Sequence, residues 1–466
     1  MVELTENYTA KEMRIRILKL AWPAVLRMFL QSVVGIVDVM MIGSLGAAAL
    51  AAVDMSNRLM FVLIGALTAL TIGSTALVAR YTGAKNQEKA NQVIVQSIVS
   101  GIILSTLLAV LGIIFAEDLL RLMMILMEEV DNFVLRNGSV YLKIVFASMI
   151  FGLPLMIINA LLQGIGDMKT PLYIMVVTNI INTVCNYLLI FGIGFFPELG
   201  VAGAAIGTAL GRVVGALIGF GVLIHGKSGI KIDLAKVKFK LDLKVIKDIF
   251  IIGIPASIEQ LIRQGSQIVY TLLIAGLGTI TVAANAIIMN GQMIPIMIGF
   301  GFSMAATTLV GQSLGAQKEE LAKEYGKQTA YLTMIIMGVI SIPMFIWTTP
   351  IIKLFSDNLS VVSIAKPAMK ISILMQPVFA ILMVISGALR GAGDTKWTMY
   401  ITAIGNWGVR MVLSLLLGYY LGYGLIGFWI AMVIDIGVRT VLIMWRYSSD
   451  KWQEIQGNRE KTKLVA

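Results

Sequence analysis

The chain repeats itself. Residues 20–224 and 250–446 are two versions of one segment. Ala21-Trp22-Pro23-Ala24 returns as Gly253-Ile254-Pro255-Ala256, and Tyr81-Thr82-Gly83-Ala84-Lys85 returns as Ser313-Leu314-Gly315-Ala316-Gln317. Both pairs have the same offset, since 255 − 23 and 315 − 83 each give 232. Gln163-Gly164-Ile165-Gly166-Asp167-Met168-Lys169-Thr170 returns as Arg390-Gly391-Ala392-Gly393-Asp394-Thr395-Lys396-Trp397, where 394 − 167 gives 227, so only a few residues separate the copies in length. A duplicated, strongly apolar half is the pattern of a secondary transporter with its pathway between two related bundles.

Composition narrows this further. The chain is 58% hydrophobic and only 14% charged, more apolar surface than a soluble fold can hide. A net charge of +11 would suggest nucleic acid on a soluble protein. Here the charges sit in loops, where they set topology, so no nucleic-acid partner is expected. The single cysteine, Cys185, rules out a disulfide within the chain. Lys11, Arg14, Arg16 and Lys19 precede a long apolar run with no A-x-A cleavage pattern, which reads as a retained first span rather than a signal peptide.

Twelve apolar runs have spanning length: 20–42, 53–78, 93–115, 138–160, 172–193, 201–224, 249–275, 282–310, 329–348, 370–388, 399–420 and 424–446. Each has about 20 residues or more, enough at 1.5 Å per residue to cross a core of about 30 Å. The expected fold is an all-α integral membrane protein of two six-helix lobes: an N-lobe over 1–224, a basic cytoplasmic linker over 225–248, a C-lobe over 249–450 and a cytoplasmic tail over 451–466. Basic residues gather at the N-terminus, after the second span (Arg80, Lys85, Lys89), after the fourth (Lys169), in the linker (Lys227, Lys231, Lys236, Lys238, Lys240, Lys244, Lys247) and in the tail (Arg446, Lys451, Arg459, Lys461, Lys463). The loop after the third span is acidic: Glu117, Asp118, Glu128, Glu129, Asp131. With both termini cytoplasmic, every basic loop lies inside. An even helix number per half gives the copies one orientation, related by a pseudo-two-fold along the membrane normal.

Some patterns carry less than they suggest. Gly221-x-x-x-x-Gly226-Lys227-Ser228 matches a phosphate-binding loop, but no strand precedes it and the glycine is in the last turn of a membrane helix. No nucleotide partner is expected, and energy must come from an ion gradient. His225, the only histidine, reads as interfacial. Gly203, Gly207, Gly211, Gly215 and Gly219 form a four-residue stripe that predicts close helix packing within the first bundle. Pro23, Pro154, Pro255, Pro295 and Pro377 mark kinks or broken hydrogen bonds in spans. The 28 methionines are mostly core filling.

Ionisable groups at membrane depth are functional candidates. They are Asp38, Glu259, Arg263, Asp435, Arg410, Arg439, Arg212 and Arg27. Helical rise places Asp38 about 27 Å from the inner end of its span, Asn182 and Asn186 about 15 and 21 Å up the fifth, and Thr208 about 10 Å below the outside on the sixth. Asn182 and Asn186 are four apart and share a face. One carboxylate with amide, hydroxyl and backbone oxygens can cage a small hard cation, so Asp38, Asn182 and Thr208 would be Na+ ligands, or the carboxylate can carry a proton instead. A polar packing network is the competing reading. Glu259 and Arg263 are four apart in the order that favours an ion pair, and Arg410 and Asp435 come to about the same depth, 16 Å, from opposite ends. For both pairs, charge compensation within the second bundle competes with ligand binding. Arg27 and Arg212 would snorkel or face a wet cavity.

These residues resemble the multidrug and toxic compound extrusion (MATE) transporters. The resemblance rests on Pro23 with Val37-Asp38-Val39-Met40-Met41-Ile42-Gly43, on Gln163 to Pro171, on Asn182…Asn186 through Gly192, and on Gly200 to Thr208. In the second copy it rests on Ile254 to Glu259 and on Leu389 to Asp394. It covers nearly the whole chain. It implies a V-shaped pair of six-helix lobes and cation-coupled antiport of amphipathic, often cationic, compounds. It also implies an N-lobe cation site on Asp38, Asn182, Asn186 and Thr208. Many relatives carry aspartate where this chain has Asn186, which leaves one acid in the cluster. The acid that the sodium-type branch carries before the Arg-Gly pair falls on Phe379, and its seventh-helix glutamate falls on Arg263. The pattern is closer to the DinF-like branch, with coupling at Asp38.

The expected activity is therefore export of small lipophilic compounds in exchange for Na+ or H+ by alternating access, in the cell membrane, by a monomer with no tightly bound cofactor. The alternative is a flippase for a lipid or lipid-linked sugar; twelve spans and few cavity charges argue against it. An enzyme is not expected, because one His and one Cys supply no catalytic cluster. Met28, Phe61, Met289 and Trp407 are the candidate cavity lining.

Overall fold

In a computed structural model, described over residues 9–125, 131–226, 241–453 and 455, the chain is helical, with no strand among those residues. The first copy forms α1 (Ala10–Gly43), α2 (Ala47–Gly83), α3 (Gln87–Ile125), α4 (Asn132–Ile165), α5 (Lys169–Phe191) and α6 (Val201–His225). The second forms α7 (Leu243–Ala275), α8 (Thr279–Gly291), α9 (Met293–Gly315), α10 (Glu319–Ile346), the short α11 (Thr348–Lys353), α12 (Leu359–Leu374) and α13 (Gln376–Ala392). It ends with α14 (Thr395–Tyr420) and α15 (Gly424–Ser448). Among the described residues, ten helices are long and apolar enough to cross a membrane, or eleven when the bent pair α12–α13 counts as one span. This is the expected all-α, multi-pass membrane architecture.

Two of the twelve apolar runs are broken in the structure. The 249–275 run lies in α7, a helix of 33 residues that carries Glu259 and Arg263. The 282–310 run breaks at Gln292 between α8 and α9. The 370–388 run breaks at Met375, where α12 and α13 meet at 51°. In both breaks a proline opens the following piece, Pro295 in α9 and Pro377 in α13. Proline has no N–H and its ring clashes with the preceding turn, so a helix stops before it, whereas a first turn accepts it. α14 also departs from α geometry, being π-helical over Ile404–Met411 and Leu415–Tyr420.

The chain forms two compact units. One is built from Leu26–Val78 and Asn86–Phe250, the other from Val2–Val25, Ala79–Lys85 and Ile251–Ala466. In the first, α4 packs on α3 and α6, and α6 packs on α5. In the second, α9, α10 and α13 pack on one another, and α15 packs on α13.

The repeat is visible in backbone detail. Lys85 (φ 56°) and Gln317 (φ 60°), 232 apart, are both left-handed. Lys85 N–H donates to Thr82 O at 3.1 Å, and Gln317 N–H to Leu314 O at 3.0 Å. Gly166 and Gly393 end α4 and α13 in the left-handed conformation that glycine adopts without steric cost. In the second unit the last turns of α2 and α9 meet reciprocally. A side chain on Gly83 would strike the Gln312 carbonyl, and one on Gly315 would strike the Arg80 carbonyl. Lys227, Ser228, Lys231, Lys236, Lys238 and Lys240 of the linker lie outside the described residues. So do Glu128 and Glu129 of the acidic loop and Arg459, Lys461 and Lys463 of the tail.

Candidate functional site

The first unit brings together the four polar side chains that helical rise placed at similar depth. Asn186 Nδ2 donates to Asp38 Oδ1 at 2.9 Å and reaches Asn182 Oδ1 at 3.4 Å. Asn182 Nδ2 donates to Thr208 Oγ1 at 3.2 Å. With the Asn182 amide turned over, its NH2 donates to Asp38 Oδ1 at 3.3 Å and its oxygen accepts from the Thr208 hydroxyl and N–H, both at 3.2 Å. Either orientation links α1, α5 and α6 through the same residues. Asn186 is 1% exposed, and its Oδ1 is buried without a hydrogen-bond partner. Among the described residues, Asp38 forms no ion pair.

The glycine stripe of α6 makes this approach possible. A side chain on Gly203 would meet the Leu189 backbone, one on Gly207 the Asn186 amide, one on Gly211 Thr178 and Asn182, and one on Gly219 Ile158. The small residues let α5 press onto α6, bringing Asn182 to Thr208 and Asn186 against Gly207. Two further groups stand nearby on α4 and α6. Tyr141 is buried and feels the charges of both Asp38 and Arg212. Arg212 donates to Ser148 Oγ at 2.7 Å and to the Val145 carbonyl at 3.4 Å, both on α4. Beside the cluster, Leu30 and Val34 of α1 face Met175, Ile180 and Val184 of α5 across an apolar groove of about 300 Å³.

The second unit treats its acids differently. Glu259, on α7, is 3% exposed along its side chain and accepts from Arg263 at 2.5 Å and Arg390 at 2.8 Å. Its other oxygen accepts from the Thr398 hydroxyl at 2.9 Å. Asp435, on α15, is fully buried between two arginines. Arg410 approaches it at 2.6 and 2.9 Å, and Arg439 at 2.7 and 2.8 Å. The pairs Glu259–Arg263 and Arg410–Asp435 follow from sequence spacing. Arg390, which doubles the charge on Glu259, does not; its only sequence signal is its place in the repeated Arg-Gly-Ala-Gly-Asp turn. Phe379 lies in the same cavity wall as Glu259 and Arg390, with no carboxylate of its own to offer.

The remaining candidates divide between the units. Met28 and Phe61 belong to the first, with Phe61 exposed; Met289 and Trp407 belong to the second. The Trp407 indole N–H donates to the Ile262 carbonyl at 3.3 Å. His225 contacts the Gly221 carbonyl through Nδ1 at 2.8 Å at the exposed end of α6, consistent with a helix-end residue. Among the described residues, no group of three or more His, Cys, Asp or Glu side chains is placed to hold a metal. Any cation at Asp38 would therefore rely on amide and hydroxyl oxygens.

Comparison with known proteins matches the chain to one family. The MatE family model matches residues 23–188 and again 255–416, so its two matches begin 232 residues apart, the offset of the internal repeat. A probable multidrug resistance protein, NorM, of Thermotoga maritima is 30% identical over 457 residues, spanning 97% of this chain and 96% of its own. An uncharacterized transporter, YisQ, of Bacillus subtilis is 28% identical over 433 residues, spanning 93% and 94%. Among solved structures, the Vibrio cholerae MATE transporter VcmN in its bent form superposes with a TM-score of 0.86 at 22% identity, covering 96% of this chain and 99% of that one. The flippase alternative is not favoured by these matches.

Proposed function

The chain belongs to the MATE family of multidrug efflux transporters, and from that premise we propose a cation-coupled antiporter that exports amphipathic, cationic compounds across the cell membrane, both termini being cytoplasmic. Asp38 is the coupling group, with Asn182, Asn186 and Thr208 as its oxygen- and amide-bearing partners. The observation that carries this reading is the contrast at Asp38: a half-buried carboxylate within a span, bonded by amides, with no basic partner among the described residues. A carboxylate locked to an arginine is already neutralised. One held by neutral amides keeps its charge available to a travelling cation.

Asn186 Oδ1 supplies a second argument, because a buried carbonyl-type oxygen without a donor is a ligand in waiting for Na+. A proton is the other occupant, taken directly by the carboxylate. A ligand shifts two conformations only through unequal affinity for them. Asp38 supplies that inequality if the cation binds one state better and the exported compound the other. The groove between α1 and α5 offers apolar surface beside the charge, which suits a compound with both characters.

The test is dye efflux from membrane vesicles with a sodium gradient and a pH gradient imposed separately. One gradient drives efflux in the native protein, and Asp38→Asn abolishes it at normal membrane insertion. Undiminished gradient-driven efflux by that variant defeats the assignment.

A further inference from the structure

The interior of the second unit has more positive than negative charge. Arg263 and Arg390 share one carboxylate, Glu259, and Arg410 and Arg439 share another, Asp435. Four guanidinium groups thus face two acids. They act on one another as like charges: Arg263 is repelled by Arg390 and Arg410, and Arg439 by Arg410 and Arg263. Such an excess inside a helix bundle is unfavourable unless something negative answers it.

A place for the missing charge exists. Glu259, Arg263, Arg390 and Arg439 line a cavity of about 30 Å³, with Ser386 in its wall. Arg263 is the most open of the arginines, 37% exposed along its side chain, yet its Nε–H is buried without a partner. The only carboxylate in the wall, Glu259, has both oxygens occupied by arginine and threonine donors, so a cation finds no free ligand there. The volume suits one water-sized or halide-sized occupant, not a drug-sized molecule.

We propose that this cavity is an anion site that holds one small monovalent anion, a halide, against Arg263 and Arg439. The anion balances the excess guanidinium charge and gives the second unit a ligand chemistry opposite to that around Asp38. The assignment stands apart from the coupling role of Asp38, because it uses none of the same residues.

The experiment is thermal unfolding of the purified full chain in sodium chloride, bromide, acetate or gluconate at equal sodium concentration and ionic strength. Chloride and bromide raise the midpoint above gluconate by about 2 °C or more, saturably. Acetate, larger than the cavity, leaves the midpoint at the gluconate value, and a full acetate shift overturns the proposal. Arg263→Gln removes the shift, Arg263→Lys retains part of it, and Asp38→Asn keeps it whole. Equal midpoints in all four salts for the native protein overturn the proposal, as does a full halide shift in Arg263→Gln. Should that variant not fold, anomalous diffraction from bromide in crystals of the native protein decides: a peak beside Arg263 supports the site, and an empty cavity at saturating bromide overturns it.

Discussion

Both halves carry carboxylates in their spans, half-buried at Asp38 and buried at Glu259 and Asp435, and they handle them in opposite ways. In the first unit Asp38 meets Asn186 and, with the Asn182 amide turned over, Asn182. In the second, Glu259 and Asp435 are each gripped by two arginines. Removing one member of a buried pair leaves the other charge stranded, which makes such a pair costly to disturb and poor at exchanging ions. A carboxylate among amides can gain and lose a cation without stranding anything. The two copies of one segment thus differ: one pairs its buried acids with arginines, and the other leaves Asp38 to amides.

The largest effect that separates the two copies is on stability. Asp435→Asn strands Arg410 and Arg439 in the bundle and is expected to destabilise by about 3–5 kcal/mol. Little folded protein should survive extraction, as read by size-exclusion profile and thermal midpoint. Asp38→Asn removes a charge that has no ionic partner among the described residues, and its thermal midpoint should stay within about 1 kcal/mol of the native protein. Comparable losses in both variants would erase the distinction between the copies.

Next in size is a change that leaves every functional group in place. Gly207 on α6 touches the Asn186 amide, and a methyl group there would overlap its oxygen. Gly207→Ala should therefore push Asn186 away from Asp38 by overpacking, at about 1–3 kcal/mol. Gradient-driven efflux should fall by about tenfold or more while expression persists. Gly221, near the end of the same helix, meets nothing, so Gly221→Ala should transport normally. Equal loss in the two variants would show that α6 tolerates no added bulk anywhere and that the Asn186 contact is incidental.

The convergence of Asp38, Asn182, Asn186 and Thr208 is legible in the sequence because a spanning helix fixes depth. At a constant rise, residue number converts to height, and a four-residue spacing converts to a shared face. The Glu259–Arg263 pair is legible for the same reason. Arg390 is not, because it reaches Glu259 across 131 residues, and nothing local says which neighbouring helix faces α7. The breaks at Gln292 and Met375 are hidden too. An apolar run reads the same whether it is one span or two pieces, and Pro295 and Pro377 signal a discontinuity without giving its angle. Tyr141 escaped notice because a tyrosine on an apolar helix carries no periodic signal, although it lies within reach of the Asp38 charge.

The smallest effect sharpens the comparison most, because it probes the copy that carries Asp38 without moving its charge. Thr208 meets Asn182 through its hydroxyl at 3.2 Å and donates that hydroxyl to the Ala204 carbonyl at 3.0 Å. Thr208→Val keeps the shape and removes one hydrogen-bond partner, worth about 1 kcal/mol between membrane helices. If Thr208 helps to hold Asn182 against Asp38, half-maximal efflux should need about fivefold more coupling ion, with the maximal rate nearly unchanged. In the second copy, Thr398 bonds one oxygen of Glu259 at 2.9 Å, but Arg263 and Arg390 already neutralise that carboxylate through its other oxygen. Thr398→Val should leave the ion dependence of efflux untouched. An equal shift from both threonines would mean that the two copies share the coupling cation after all.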